Sequence, residues 1–372
     1  MSEAPVRGPV LVAAGGTGGH LFPAEALAAT LAQRGIEVHL ATDRRAAVYG
    51  DGTFAEDAIH LVSSATLRAR NPAAMARTGA LLGFGLLQAW GLLGRLKPSA
   101  VIGFGGYPTI PPVLVAAWRG IPTVIHDANA VIGRANRLLA PRVTAIAITF
   151  PDMFRDAPAL AAKATLTGNP VRPAVIAVAA TPYPDLGDRL RLLVFGGSQG
   201  AHVMAEIVPP AIRQLDTVLR GRLAIVQQVR AEDLPRVREA YASLGIAAEV
   251  APFFADLPQR MAASHLVVSR SGASTVAELA AIGRPAILVP LPHALDQDQF
   301  ANAGVLERTG GAIRIAQQAF TPQRLADEIA ALAAAPGRLA AMAAAARTVG
   351  RLDAAELLAD LVLKVAAQRA TK

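Results

Sequence analysis

The chain has no cysteine, which excludes disulfide staples and thiolate metal sites and fits a reducing compartment. Aromatic residues make up only 5% of its 372 positions, and no compact Lys/Arg tract occurs. The stacking platforms and basic stripes of a nucleic-acid binder are therefore missing. Charged residues are scarce as well, 17% against 53% hydrophobic, which argues against disorder and for well-buried α/β layers. From Met1 to Pro9 there is no long apolar run, so no signal peptide is expected. The charge that is present is basic, net +8. With nucleic acid set aside, that balance points to anionic lipid or a phosphorylated substrate. A chain of 372 residues is too long for one ordinary core, so two domains are expected.

An apolar run, Val10 to Ala14, leads into Gly15-Gly16-Thr17-Gly18-Gly19-His20 and then a helical pattern from Ala24 to Arg34. Strand, glycine turn and helix in that order bring backbone N–H groups to a place where an anion can approach. The arrangement returns in the second half, where Leu192 to Phe195 runs into Gly196-Gly197-Ser198-Gln199-Gly200 and Ala201-His202. Two such units predict two similar domains, each a parallel sheet covered on both faces. Pro23 suits the first turn of the first helix and Gly35 its C-terminal cap. Further strands are read at Glu37–Leu40, Ala100–Phe104, Pro122–Ile125, Leu190–Phe195, Leu223–Gln227, Ala248–Ala251, Leu266–Ser269 and Ala286–Pro290. The prolines and glycine between Pro170 and Asp188 mark that stretch as the interdomain linker. A final helix from about Asp353 to Gln368 is long enough to cross back onto the first domain.

An uncharged segment between Arg77 and Arg95 contains Leu81, Leu82, Phe84, Leu86, Leu87, Trp90, Leu92 and Leu93. Glycines interrupt it, and it falls short of the roughly 20 apolar residues that span a bilayer. Two readings fit: a buried core helix, and a membrane-surface patch flanked by Arg68, Arg70, Arg77, Arg95 and Lys97.

Among the candidate chemical residues, a dinucleotide fingerprint started at Gly16 ends on Leu21 instead of glycine, although Asp43 sits near the end of a strand. That is a poor fit for an oxidoreductase. More telling is Ser269-Arg270-Ser271-Gly272-Ala273-Ser274-Thr275-Val276-Ala277-Glu278. Here a strand ends in small residues that open a helix, whose free N–H groups suit a diphosphate. Ser274 or Thr275 is expected to cap that helix, and Glu278 one turn in can accept bonds from two ribose hydroxyls, or simply favour the helix start. The loop from His293 to Ala303, dense in Asp, Gln and Asn, suits sugar hydroxyls. Its Asp296-Gln297-Asp298 has the D-x-D form that holds a divalent ion in other transferases, but arginines and helix dipoles already supply positive charge, so no metal is expected.

Six motifs occur in order along the chain: Gly15–His20; Gly103-Phe104-Gly105-Gly106-Tyr107-Pro108; Gly168-Asn169-Pro170-Val171-Arg172; Gly196–Ala201; Ser269–Glu278; and Asp298-Gln299 with Asn302-Ala303. Together they resemble the MurG family, the bacterial N-acetylglucosaminyltransferases that convert lipid I to lipid II in peptidoglycan synthesis. The resemblance implies a GT-B fold, two Rossmann-like domains with a cleft between them. Residues 1–171, with a helix at about 352–372 packing back, would bind the acceptor and the membrane; residues 172–351 would bind UDP-N-acetylglucosamine. Carried onto this sequence, Arg172 and Ser198 would meet the diphosphate, the Phe254 backbone the uracil, and Ala273, Ser274 and Thr275 a phosphate. Glu278 would hold the ribose, and Gln299 with Asp298 the sugar. Thr17, Gly18, Gly19 and Asn129 would reach the donor from the facing domain.

The family chemistry is inverting, so a base must take the proton of the acceptor's 4-hydroxyl. His20, whose ordinary pKa is near neutrality, is the preferred base, with Asp127 as the second candidate. The family usually has His-Glu-Gln-Asn where this chain has His126-Asp127-Ala128-Asn129. The resemblance further implies no required cofactor, an anionic membrane surface engaged through Leu82, Leu86 and Trp90, and a peripheral place on the cytoplasmic face of the inner membrane. A cell-wall synthesis complex would be the setting.

Overall fold

All four side chains of β1 (Val10–Ala13) are buried, as expected of a strand covered on both faces. The computed structural model describes residues 8–15, 18–43, 53–65, 71–151, 153–197, 200–292 and 297–370. Around β1 lie β2 (Val38–Thr42), β3 (Ile59–Leu61), β4 (Ala100–Gly103), β5 (Thr123–Asp127), β6 (Ala145–Ile148) and β7 (Ala164–Leu166). They pair in parallel in the order β3-β2-β1-β4-β5-β6-β7. The helices of this half are α1 (Gly18–Gln33), α2 (Pro72–Leu96), α3 (Ile110–Trp118), α4 (Arg134–Leu139) and α5 (Pro158–Ala161). The first of them begins at Gly18, ahead of the expected start, so Pro23 sits inside it. Its missing N–H removes one bond in the second turn.

The second half repeats the plan with β8 (Leu190–Phe195), β9 (Leu223–Gln228), β10 (Glu249–Ala251), β11 (Leu266–Ser269), β12 (Ala286–Leu288) and β13 (Ala312–Arg314). Their order is β10-β9-β8-β11-β12-β13, again all parallel. Its helices are α6 (Pro173–Ala179), α7 (His202–Gln214), α8 (Thr217–Gly221), α9 (Leu234–Ala242) and α10 (Leu257–Ala263). They continue with α11 (Ala273–Ile282), α12 (Asp298–Thr309), α13 (Pro322–Ala333) and α14 (Pro336–Arg347). The chain ends in α15 (Ala354–Ala370). Both sheets have the doubly wound order, in which the chain reverses direction across the sheet beside its first strand.

By contact the chain separates into Met1–Arg172 with Leu352–Lys372, and Pro173–Arg351. In the first unit, Val10 and Val12 face Leu21 and Leu27 of α1 and Leu358 and Val362 of α15. Leu11 and Ala13 point the other way, to Leu93 of α2 and Val113 of α3. In the second, Leu192 and Val194 pack with Met204 and Val208 of α7 and Val237 and Tyr241 of α9.

Most of the stretch expected to link the domains is bound to the second unit. The buried Arg284 guanidinium donates to the carbonyls of Pro182 and Ala262, Tyr183 Oη donates to the His265 carbonyl, and His265 Nε2 donates to the Asp185 carbonyl. Prolines cannot donate to a ladder, so the carbonyls around them are satisfied by side chains instead. Burial lowers the Arg284 pKa to about 10.

Candidate active site

In open α/β sheets, ligands gather outside the carboxyl ends of strands where the strand order reverses. Here those places are the ends of β1 and β4 in one unit and of β8 and β11 in the other. Four of the six sequence motifs leave the sheets at those ends.

In the first unit the turn after β1 packs on the turn after β4. A β-carbon on Gly15 would stand 2.8 Å from Cγ of Pro108, so only glycine fits there. Gly105 and Gly106 both have positive φ, +90° and +76°. The ring of His20, in the first turn of α1, lies over them. A β-carbon on Gly105 would be 3.2 Å from His20 Cε1 and 3.3 Å from its Nδ1. Gly18 and Gly19 form the helix start, where N–H groups have no intrahelical acceptor. Thr17 lies outside the described residues.

At the end of β5, His126 is wholly buried against the Phe104 ring. Its Nε2–H donates to the Gly168 carbonyl at 3.0 Å, and burial lowers its pKa to about 4. Asp127 is 2% exposed. Its Oδ1 accepts from the Asn129 N–H at 3.1 Å, and its Oδ2 from the Gly133 N–H at 2.8 Å and from Asn136 Nδ2 at 3.0 Å. Burial pushes the Asp127 carboxyl up. With donors from Asn129 and Gly133 of its own loop and from Asn136 of α4 around it, this carboxylate braces the turn that carries Asn129. Asn136, which also donates to the His126 carbonyl at 2.9 Å, was not singled out from sequence. Arg172 counts with this unit, its guanidinium 5.1 Å above the Phe22 ring of α1.

In the second unit, the turn after β8 is tight enough that a β-carbon on Gly196 would meet the Ala201 nitrogen. Ser198 lies outside the described residues. The cap of α11 falls on Gly272, which has no side chain to cap with, and among the described residues no other side chain bonds to the first-turn N–H groups. Neither Ser274 nor Thr275 is the N-cap: both lie within the helix, one and two residues past Ala273. The first-turn N–H groups of Ala273, Ser274 and Thr275 thus face outward without a cap, an arrangement that suits a phosphate. Glu278 is buried one turn further on.

Ser271 joins this helix start to α12: its Oγ donates to the Gln299 carbonyl at 2.8 Å, and its carbonyl accepts from Asn302 Nδ2 at 3.3 Å. Gln299 Oε1 accepts from the Leu291 N–H at 3.0 Å. Asp298 Oδ1 accepts from the Gln299 N–H at 2.9 Å, while Asp296 lies outside the described residues. The Phe254 ring is covered by the Arg260 guanidinium at 4.3 Å. Arg270, whose role no motif signalled, donates to the carbonyls of Val289 and Pro290 and to Gln317 Oε1, fixing the end of β12.

The membrane assignment needs correction. Leu82 and Leu86 are half-buried, with Leu86 packed on the core that includes Leu92 and Val113. The apolar face of α2 that meets solvent is Met75, Leu81, Phe84, Leu87 and Trp90, with Leu87 72% exposed. Phe84, Leu87 and Trp90, three residues apart, share one side of the helix with Leu87 at its centre, roughly opposite the buried Ala89, whereas Met75 and Leu81 are exposed because the N-terminal half of α2 is little covered on any side. Helix geometry, invisible in an evenly apolar segment, separates the two sets. α2 is 25 residues long, more than the segment read from sequence, and its stretch Met75–Leu96 is long and apolar enough to cross a membrane by length and composition, which corrects the expectation that it falls short.

Comparison with known proteins decides the family. The glycosyltransferase family 28 N-terminal domain matches residues 10–148 and its C-terminal domain residues 191–358. The UDP-N-acetylglucosamine--N-acetylmuramyl-(pentapeptide) pyrophosphoryl-undecaprenol N-acetylglucosamine transferase of Rhodopseudomonas palustris (strain HaA2) is 64% identical over 98% of this chain and 100% of its own length. The chain belongs to the MurG family. The transferase of the same name from Nitrobacter winogradskyi is 62% identical over 98% of the chain and 99% of its own length. Among solved structures, Acinetobacter baumannii MurG is 29% identical with a TM-score of 0.77, covering 96% of this chain and 99% of its own. MurG membership makes the chain a glycosyltransferase of peptidoglycan synthesis, and its two doubly wound sheets are the two Rossmann-like halves expected of that family.

Proposed function

We propose that this chain transfers N-acetylglucosamine from UDP-N-acetylglucosamine to the 4-hydroxyl of the N-acetylmuramyl-pentapeptide of lipid I, with inversion, giving lipid II. The observation that carries the reading is the 64% identity, over almost the whole chain, to a relative named for that reaction. The second unit holds the donor: the uncapped N–H groups of Ala273 to Thr275 meet the diphosphate, Glu278 the ribose hydroxyls, and Gln299 the sugar. The Phe254 backbone faces the uracil. In the step itself the acceptor oxygen bonds to the anomeric carbon while that carbon's bond to the β-phosphate oxygen breaks. UDP leaves with the electron pair, its charge stabilised by the helix N-terminus. His20 takes the hydroxyl proton. Asp127 and Asn136 hold the loop that carries Asn129.

The acceptor's polyprenyl tail stays in the bilayer, so the first unit docks on the membrane. The exposed face of α2, with Trp118, Arg77, Arg95 and Arg119 around it, is the docking surface. In this reading the chain works at the cytoplasmic leaflet.

The deciding experiment is UDP release from UDP-N-acetylglucosamine with and without a short-chain lipid I analogue, in EDTA. Release that depends on the acceptor and gives a β-1,4-linked disaccharide supports the reading. Release without acceptor would indicate a hydrolase or epimerase instead, and release only after adding magnesium would bring in the Asp296–Asp298 pair.

A further inference from the structure

The end of β9 has two adjacent glutamines, Gln227 and Gln228, both buried in a strand that is otherwise apolar apart from them. Successive strand residues point to opposite faces, so the two amides do different things. Gln227 Nε2 donates to the Met204 carbonyl of α7 at 3.2 Å, and its Oε1 accepts from Tyr241 Oη of α9. That is a helix anchor. Gln228 instead reaches sideways to the loops leaving both neighbouring strands. Its Oε1 accepts from the Gly196 N–H at 3.3 Å, in the glycine turn after β8, and its Nε2 donates to the Pro252 carbonyl at 3.1 Å, just past β10.

β9 lies between those two strands, and Gln228 is its last residue, in register with Ala251 at the end of β10. The backbone ladder between β9 and β10 closes with the Val229 N–H on the Ala251 carbonyl. Beyond it, among the described residues, the Gln228 side chain supplies the bridge to Pro252, two residues before Phe254. On the other side, Arg230 Cγ would stand 3.0 Å from a β-carbon on Gly200, so the same segment also abuts the far end of the glycine turn.

We infer that Gln228 is a positioning residue that couples the phosphate-facing glycine turn to the base-facing loop of the donor site. A glutamine suits this because one planar group accepts on one side and donates on the other, at a fixed separation. Glutamate would keep the acceptor for Gly196 but lose the donor to Pro252; methionine would keep the shape and lose both. The inference rests on the second unit being the UDP-sugar site.

The test measures UDP and CDP affinity by calorimetry, with the donor KM and kcat, for the full chain and for Gln228→Met, Gln228→Glu and Gln227→Met. For Gln228→Met we expect UDP to bind at least tenfold more weakly and the preference for UDP over CDP to shrink. The donor KM should rise more than kcat falls, and the melting temperature should shift by no more than a few degrees. Gln227→Met should lower the melting temperature while leaving the UDP/CDP ratio as it was. Unchanged UDP affinity in Gln228→Met, or an equal loss for both nucleotides, overturns the coupling. Where Gln228→Met does not fold, Gln228→Glu decides by the same ratio. Failure of the parent chain to bind UDP would sink the donor-site reading itself, a distinct result.

Discussion

The His20 ring rests on Gly105, with its Cε1 3.2 Å from the place a β-carbon on that glycine would occupy. The glycine is fixed there twice over, by a φ of +90° that side chains rarely adopt and by the imidazole above it. Gly105→Ala should therefore displace His20 as well as strain the turn. We expect a backbone cost of about 1–2 kcal/mol, and a drop in kcat larger than that cost explains. His20→Ala should lower kcat by about 10²–10⁴-fold, the usual contribution of a general base. Steady-state rates with a water-soluble acceptor, beside urea melts, check both. A His20→Ala variant with full kcat would remove the base assignment.

His126 gives the fold a pH dependence. Its imidazole ordinarily titrates near 6.5, and burial lowers that to about 4. Between those values the unfolded chain holds a proton that the folded chain does not, so acidification favours unfolding. The contribution is fully present above pH 6.5 and is lost toward pH 4, up to about 3 kcal/mol. Asp127 beside it is pushed the opposite way by the same burial. The informative quantity is therefore the difference between the parent and His126→Gln, whose amide can still donate to the Gly168 carbonyl. Urea unfolding from pH 7.5 to 5 should show a shallower slope in the variant. Parallel slopes would mean the imidazole is not protected from protonation.

Asp127 should behave as a loop anchor. Asparagine in its place turns an NH₂ toward at least one of the N–H donors from Asn129, Gly133 and Asn136, which leaves buried donors unmatched. We expect Asp127→Asn to lose about 1–3 kcal/mol of stability, and activity to fall with the displaced Asn129. Asp127→Glu, the residue usual in the family, should remain active within a few-fold. A stable but inactive Asp127→Asn would restore the carboxylate as a candidate for the chemistry.

Glu278 is buried one turn into α11, behind the uncapped N–H groups. Hydrogen bonds to a charged group are worth about 1.5–3 kcal/mol, so Glu278→Ala should weaken UDP-N-acetylglucosamine binding roughly tenfold to a hundredfold, as read by calorimetry. Unchanged affinity would take the ribose away from this residue.

Much of this architecture is legible in the residues. The glycine turns after Val10–Ala14 and Leu190–Phe195 locate both switch points, because only a strand–turn–helix passage needs glycine so densely. β3, β6, β7 and β13 are not legible. They are three or four residues long, and their pairing comes from the neighbouring strands rather than their own pattern. The residues that hold the motif-bearing loops in place are less legible: Asn136 and Gln228 lie outside the six motifs, and Arg270 and Ser271 lie within one that says nothing of the bonds they make. Their partners are distant in sequence: Arg270 bonds Gln317, and Gln228 bonds Gly196. Only folding reveals such pairs.

α2 has an exposed apolar face and a core-packed one, so the proposed docking and the packing can be tested apart. Phe84 and Leu87 are 55% and 72% exposed, while Leu86, between them in sequence, packs inward. Burying a large apolar side chain stabilises by about 1.5–3 kcal/mol, whether the surroundings are lipid or core. Phe84→Ser with Leu87→Ser should thus lower binding to vesicles containing anionic lipid by tenfold or more. Melting temperature and turnover of a short-chain, water-soluble acceptor should hardly move. Leu86→Ser should do the reverse, lowering the melting temperature while the folded fraction still binds vesicles. Raising salt should weaken binding in every variant, because Arg77, Arg95 and Arg119 attract the headgroups through a screened field. If the Phe84/Leu87 pair instead destabilises the protein and leaves vesicle binding intact, this face of α2 packs against protein, and the docking surface lies elsewhere on the chain.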